Sequence, residues 1–291
     1  MKKLILLLAL AIICLHVSAQ KDTVKTSPNK DTIRIGGMVI VKKGNGNKNN
    51  SISVKIGGDK ERQKRKKVST NWWIVDLGFS NYNDKTNYAN SGSYLVNRPG
   101  FPALDKNDFK LRAGKSVNVN IWVFMQRINL IKQYVFLKYG LGTELNNYRY
   151  KSAINYNENG LVPYTANTQT NAPFIFRDSI LFTKNKLAAD YVTIPAMLNF
   201  VTNPDNRKKG FSLSLGVSAG YLYSQRNKQV SNERGKLKNR GDYDLERFKF
   251  SYTAELGLGP VLLYGSYSPK SIYEHSLDIR PYNVGFRFSY W

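Results

Sequence analysis

Eight stretches of this chain alternate between apolar and polar residues, and no Asp, Glu, Lys or Arg falls on their apolar side. "NWWIVDLGFS" sets Trp73, Val75, Leu77 and Phe79 against Trp72, Ile74, Asp76, Gly78 and Ser80. "SVNVNIWVFMQ" aligns Val117, Val119, Ile121, Val123 and Met125 opposite Asn118, Asn120 and Gln126. "YVFLKYGLGTELN" aligns Val135, Leu137, Tyr139, Leu141 and Leu145 opposite Lys138, Gly140, Gly142 and Glu144. The same period runs through "YVTIPAMLNF", "FSLSLGVSAGYLY", "FKFSYTAELGL", "VLLYGSY" and the closing "YNVGFRFSYW". Side chains two apart share a face of a strand, so the pattern specifies β-structure with one apolar face.

Two environments can take such a face: a soluble core or a lipid bilayer. The opposite face decides between them. It is small and polar (Gly, Ser, Asn, Thr) and carries Asp76, Lys138, Glu144, Lys249, Glu255 and Arg287. A soluble sandwich places charge on its skin and bulk in its core. A narrow barrel in lipid does the reverse and fills its lumen with small side chains and paired charges. We therefore expect the interior of a barrel at Asp76, Lys138, Glu144, Glu255 and Arg287. Connection lengths agree. Long links at about 81–115, 147–188 and 225–247, and a moderate one at 269–280, alternate with short ones at 127–133, 202–209 and 258–260. Outer-membrane barrels have short periplasmic turns and long external loops. Pro195 falls inside a strand, where a bulge or a missing ladder bond must accommodate it.

The chain begins "MKKLILLLALAIICLHVSAQ". Lys2 and Lys3 precede the apolar Leu4–Ile13, and Val17-Ser18-Ala19 offers a cleavage site, so residues 1–19 read as a secretory signal peptide. Cys14, the only cysteine, lies within it, which excludes a disulfide framework and thiolate chemistry in the mature chain. Residues 20–70 carry fourteen basic residues against four acidic ones. This segment reads as a basic periplasmic extension, with a hairpin expected at 33–58, where "IRIGGMVIVKK" and "SISVKIGG" flank "GNGNKNN". "KERQKRKK" (60–67) is a solvated linker or a contact for anionic headgroups. The domain reading is 1–19 signal, 20–70 extension and 71–291 barrel. The fold class is all-β, an eight-stranded antiparallel up-and-down transmembrane β-barrel with an N-terminal extension.

Together "DTIRIGGMVIVKK", the basic run, "NWWIVDLGFSNY", "DYVTIPAMLNF" and the final strand resemble the PorT-like outer-membrane β-barrel proteins of Bacteroidetes, over residues 31–43 and most of 71–291. The resemblance implies an eight-stranded barrel in the outer membrane of a Gram-negative bacterium; the loop alternation, which fits eight strands with both ends at the periplasm, puts the extension there. The resemblance also implies a role accessory to protein secretion, which holds for some relatives. In the last strand Tyr290 continues the apolar phase and Trp291 falls out of it.

Little in the sequence points to chemistry. His275 in "YEHS" is the only histidine of the mature chain, and adjacent Glu274 and Ser276 cannot easily converge with it on one reacting atom. One His without Cys leaves too few ligands for zinc. "RAGKS" (112–116) has Phe109 where a phosphate loop needs glycine. We expect no enzyme activity, no cofactor, no metal site and, in an exported chain, no nucleic-acid partner. Expected partners are outer-membrane lipid and lipopolysaccharide, the barrel-assembly machinery, and a periplasmic or secretion-system protein. Lys228, Arg234, Lys236, Lys238 and Arg240 form the candidate anion-binding loop. The Asn/Tyr-rich loops 81–115 and 147–188 are expected to face outward and capture a partner. A narrow pore and a lipid-modifying enzyme are the alternatives. "DTV" (22–24), "DTI" (31–33) and "DSI" (178–180) match a three-residue O-glycan acceptor pattern that short chance matches also satisfy.

Overall fold

A computed structural model describes residues 67–204 and 210–289 with their side chains, and, as backbone only, the strands Thr32–Ile35, Met38–Lys43 and Ser51–Ile56. Those three short strands form an antiparallel sheet in sequence order. The chain divides into two units, Met1–Arg65 and Lys66–Trp291.

In the second unit eight strands form the wall: β1 (Val68–Asp84), β2 (Val117–Ile131), β3 (Val135–Arg149), β4 (Lys184–Val201), β5 (Phe211–Ser231), β6 (Phe248–Leu258), β7 (Val261–Tyr267) and β8 (Ile279–Phe288). Each pairs antiparallel with its neighbours in sequence, and β8 returns to β1, so the sheet closes without an edge. Closure satisfies every wall strand on both sides, which is what crossing a bilayer requires. β1 begins at Val68, three residues before the boundary read from the sequence.

The apolar face is outside. Leu77, Ile194, Leu198, Leu215, Val217 and Val284 are all exposed, although nothing about their chemistry favours water. Aromatic residues gather at both margins of this band. Trp72, Trp73, Phe200, Phe211 and Phe288 lie toward the short-turn rim, and Phe79, Tyr221, Phe248, Tyr267 and Tyr282 toward the long-connection rim. Phe211 and Tyr221 lie ten residues apart on β5, or about 23 Å of height at a 45° tilt, close to the apolar band of an outer-membrane barrel. Tyrosine and tryptophan at such margins suit the headgroup layer.

Two short turns owe their shape to positive φ. Gly259, at φ 60°, opens the two-residue turn between Leu258 and Val261, the position that a primed hairpin turn reserves for glycine. Lys132 and Gln133 both have positive φ, with Tyr134 N–H donating to the Ile131 carbonyl at 2.8 Å.

One local feature reverses part of the face pattern. Trp73 sits at φ 56° and drops out of the β1–β2 ladder, while β2 slips against β3 between Trp122 and Phe124. Facing irregularities on two adjacent strands invert the alternation below them. Trp72, expected inside, is therefore exposed. Met125, expected on the apolar face, is fully buried in the lumen, and Gln126 turns outward. Trp72 and Phe124 lie opposite each other with ring centroids 5.9 Å apart. Pro195 is accommodated by a lapse in the β3–β4 ladder, which stops at Thr193 and resumes at Ala196 in the same register.

If Leu215, about midway between Phe211 and Tyr221 on β5, faces hydrocarbon, Leu215→Arg should destabilise the folded barrel by about 2–4 kcal/mol in urea titrations from lipid vesicles. A loss below about 0.5 kcal/mol would mean the face does not meet lipid.

Candidate functional site

The structure brings together all five charges expected inside the barrel. Arg287 on β8 lies directly opposite Asp76 on β1. Its Nε donates to Oδ1 and its Nη2 to Oδ2, both at 2.7 Å, and its Nη1 reaches Glu255 on β6. Glu255 also accepts from Lys138 on β3, and Glu144 on β3 accepts from Lys249 on β6. These last two pairs cross the lumen between strands three apart in the ring. Asp76 further accepts from Trp122 Nε1 at 2.8 Å and Asn120 at 3.1 Å, and Glu144 from Asn146 and Asn283 at 3.0 Å each. Buried carboxylates with this many donors are the form in which charge survives away from water.

Lys249 and Arg127 are buried in the lumen as well. Arg127 was not anticipated. It lies beyond the irregularity at Val123, and its guanidinium stands 4.4 Å from the Phe136 ring. Bulk fills the remaining lumen. Tyr264 leans across the Gly78–Gly285 register pair, where a Cβ on Gly78 would stand 2.4 Å from its hydroxyl. Small cavities remain, about 30 Å³ among Trp122, Glu144, Thr193, Tyr264 and Arg287 and about 40 Å³ among Arg127, Lys138, Asn199, Ser214 and Glu255, each with room for a few waters at most.

The long connections are not open loops. They pack a common core of Tyr94, Leu95, Phe109, Tyr150, Ile154, Tyr156, Ile175, Tyr243, Tyr273 and Leu277, continuous with Tyr148 and Tyr191 on the wall. Tyr150 and Tyr156 hydroxyls lie 2.6 Å apart, Tyr156 and Tyr273 2.8 Å apart, and the Tyr94 hydroxyl donates to the Tyr243 carbonyl at 2.8 Å. Burial pushes the Tyr150 hydroxyl up to about 12 and raises those of Tyr94, Tyr156 and Tyr273 as well, so all four stay protonated. Ion pairs join the connections: Arg177 to Asp108 at 2.7 Å, Arg234 to Asp178 at 2.8 Å, and Lys270 to Glu246. The loops expected to face outward therefore form one ordered cap.

In the cap, His275 Nδ1 lies 2.8 Å from Asp244 Oδ1 and its backbone N–H donates to the other oxygen at 3.1 Å. That hydrogen bond, and the carboxylate's charge, raise the His275 pKa above its usual 6.5. Asp244, Glu274 and His275 are near enough to share a cation, yet His275 is largely exposed. Ser276 is its neighbour in the same loop and makes no hydrogen bond to it among the described contacts.

The candidate anion-binding loop is a strand. Gly235–Arg240 pairs with the outer end of β5, placing Lys238 opposite Lys228, Lys236 opposite Val230 and Arg240 opposite Arg226. Arg234 leaves the group to pair with Asp178. Two lysines join it from β4: Lys186 lies opposite Lys228 and Lys184 opposite Val230. Sequence reading missed both, because strand pairing, not spacing, brings them there. Of the acceptor-like triads, Asp178 is buried under Arg234, while residues 22–24 and Asp31 lie outside the described residues, as do Tyr290 and Trp291.

The model of the outer membrane protein beta-barrel domain matches residues 62–269, well over half of the chain. The chain belongs to that family. It is an integral outer-membrane β-barrel, all-β, closed by eight antiparallel strands. Among solved structures it is similar to Ail, the attachment invasion locus protein of Yersinia pestis, in a complex with the heparin analogue sucrose octasulfate. Identity there is 12%, coverage 75% of this chain and 98% of that one, and the TM-score 0.28. A second Ail structure matches at 13% identity over the same shares, also with a TM-score of 0.28. A mutant of Rh. blastica porin matches at 10% identity over 77% of this chain and 100% of that one, with a TM-score of 0.17. No curated protein is significantly similar to the chain.

Removing Arg287 would leave the buried Asp76 without its cation and Glu255 with Lys138 alone. Arg287→Met should cost about 3–5 kcal/mol of barrel stability in urea titrations, whereas Lys110→Gln on the exposed cap should stay within about 0.5 kcal/mol. The His275–Asp244 contact steadies its loop fully below the ordinary His pKa and loses that contribution as pH rises through the raised value. NMR titration should place His275 above 6.5, and Asp244→Asn should return it to the ordinary range; an unchanged titration in that variant would contradict the pairing.

Proposed function

We propose that this outer-membrane protein works by binding, neither conducting solutes nor catalysing a reaction. In this reading the tyrosine-rich cap stands outside the cell and the basic segment 20–70 reaches into the periplasm. The observation that carries it is the filled lumen beneath an ordered cap, since this leaves the protein's outer surfaces as the places where a partner can act. Long connections outside and short turns in the periplasm follow the general rule for such barrels.

A pore is the weaker alternative. Its path would have to break the Lys138–Glu255 and Lys249–Glu144 pairs that cross the lumen. A lipid-modifying enzyme is weaker still, because His275 has a carboxylate partner but, among the described residues, no nucleophile hydrogen-bonded to it. We further place the chain in the PorT-like type of Bacteroidetes barrel and read it as accessory to protein secretion. What supports this is the combination of the sequence motifs with a basic segment suited to an anionic periplasmic partner.

In planar bilayers the purified protein should give no solute-scale conductance steps. Stable steps that survive in Lys138→Met and disappear on heat unfolding would replace this reading with a pore. In cells, crosslinking should capture a protein through segment 20–66, and deleting that segment should abolish the capture while the barrel still assembles.

A further inference from the structure

We propose that the outer wall of β3, β4, β5 and the strand Gly235–Arg240 binds the phosphate groups of lipopolysaccharide in the outer leaflet. Four cations stand in one register row across these strands. Arg149 lies opposite Lys186, Lys186 opposite Lys228, and Lys228 opposite Lys238. Adjacent strands are about 4.8 Å apart, so the row extends roughly 14 Å. Lys184 and Lys236 flank it one step further out, with Val230 between them.

Like charges directly opposite one another destabilise a sheet, and no carboxylate of these strands forms an ion pair with the row. The four strands contain two acids, and both are committed elsewhere. Glu144 faces the lumen and holds Lys249, and Asp190 holds Arg226. The partners that the row does have are neutral: Arg149 Nη2 donates to the Thr183 carbonyl at 2.9 Å, and Lys186 to Asn147 Oδ1. Such a row is a cradle for an anion with several phosphates, not a set of internal ion pairs.

Its position selects a membrane-embedded source. The β4–β5 ladder slips by one residue between Asp190 and Tyr191 and leaves Tyr223 out of register, so the row, at odd spacing from Tyr221 and Tyr223 on β5, shares their outward face and that of Val192 and Ile194 on β4. Lys228 lies five residues beyond Tyr223, about 12 Å higher at a 45° tilt. The cations therefore look sideways over the headgroup layer, where the phosphates of a glycolipid held by its acyl chains would meet them. A soluble polyanion would have no use for the apolar wall below. The inference depends on the long-connection rim being external, but not on the protein lacking conductance.

The test uses the full chain purified in detergent, its folding verified by heat-dependent gel mobility. Binding is measured for lipopolysaccharide and for the same material after phosphate removal. The wild type should bind the phosphorylated form with an affinity that falls steeply with salt, and phosphate removal should weaken binding at least tenfold. K186Q/K228Q/K238Q should lose a similar factor. K110Q/K115Q/K151Q, an equal charge loss on exposed cap residues, should keep wild-type binding. Equal binding by the two triple variants, or indifference to phosphate removal, would overturn the proposal. So would soluble heparin displacing the glycolipid at equal phosphate or sulfate concentration, which would show a site for soluble polyanions. Labelling an Asn107→Cys variant on intact cells reports orientation separately. Failure there overturns the external placement of the cap and leaves the affinity result to be read as anion binding on the periplasmic side.

Discussion

Everything else in this barrel depends on Arg287 being held between Asp76 and Glu255. An eight-stranded wall encloses a space too narrow for a channel and too large to leave empty. Filling it with apolar side chains would have removed the difference between the two faces of every strand. The chain fills it with carboxylates and cations that satisfy one another, beside a small cluster of Ile74, Trp122, Met125 and Met197, so most of the wall's bulky apolar residues stay on the lipid side. Desolvating those charges is costly, and the cost is offset only because nearly every lumen carboxylate has several donors. The network also explains the small residues beside it: Gly78 and Gly285 leave room for the Tyr264 ring, whose hydroxyl donates to Asn118.

Much of this was legible because a strand's period is two. Apolar and polar positions could be assigned to lipid and lumen, and five interior charges named, without knowing any contact. The pattern failed where its period failed. Counting in steps of two through Val123 puts Met125 on the lipid side and would put Arg127 there too. An arginine in that phase was the available sign of an intervening bulge, since a cation facing hydrocarbon is expensive. The cap was illegible for a different reason. Its core draws Tyr94, Tyr156, Tyr243 and Tyr273 from four separate connections, and each segment alone reads as a polar loop. Lys184 and Lys186 escaped notice likewise, because their neighbours in space are Val230 and Lys228, some forty residues away in sequence.

The family assignment and the structure agree on an outer-membrane barrel, and the physical description narrows where its activity can reside. The lumen is occupied and the mouth is covered. The accessible chemistry is then on three surfaces: the cap, the cation row on the wall, and the basic segment before β1. Each meets a different neighbour, namely the medium, the glycolipid leaflet and the periplasm, if the long connections lie outside.

The most direct test of the account is a double-mutant cycle on the central pair, with Asp76→Asn, Arg287→Gln and the double variant unfolded by urea from lipid vesicles. If the ionic plug organises the barrel, the double variant should be more stable than the sum of the single losses implies, with a coupling of at least about 1.5 kcal/mol. Additivity within about 0.5 kcal/mol would show that the two charges do not depend on each other, and would contradict the claim that their pairing is what lets the lumen hold charge.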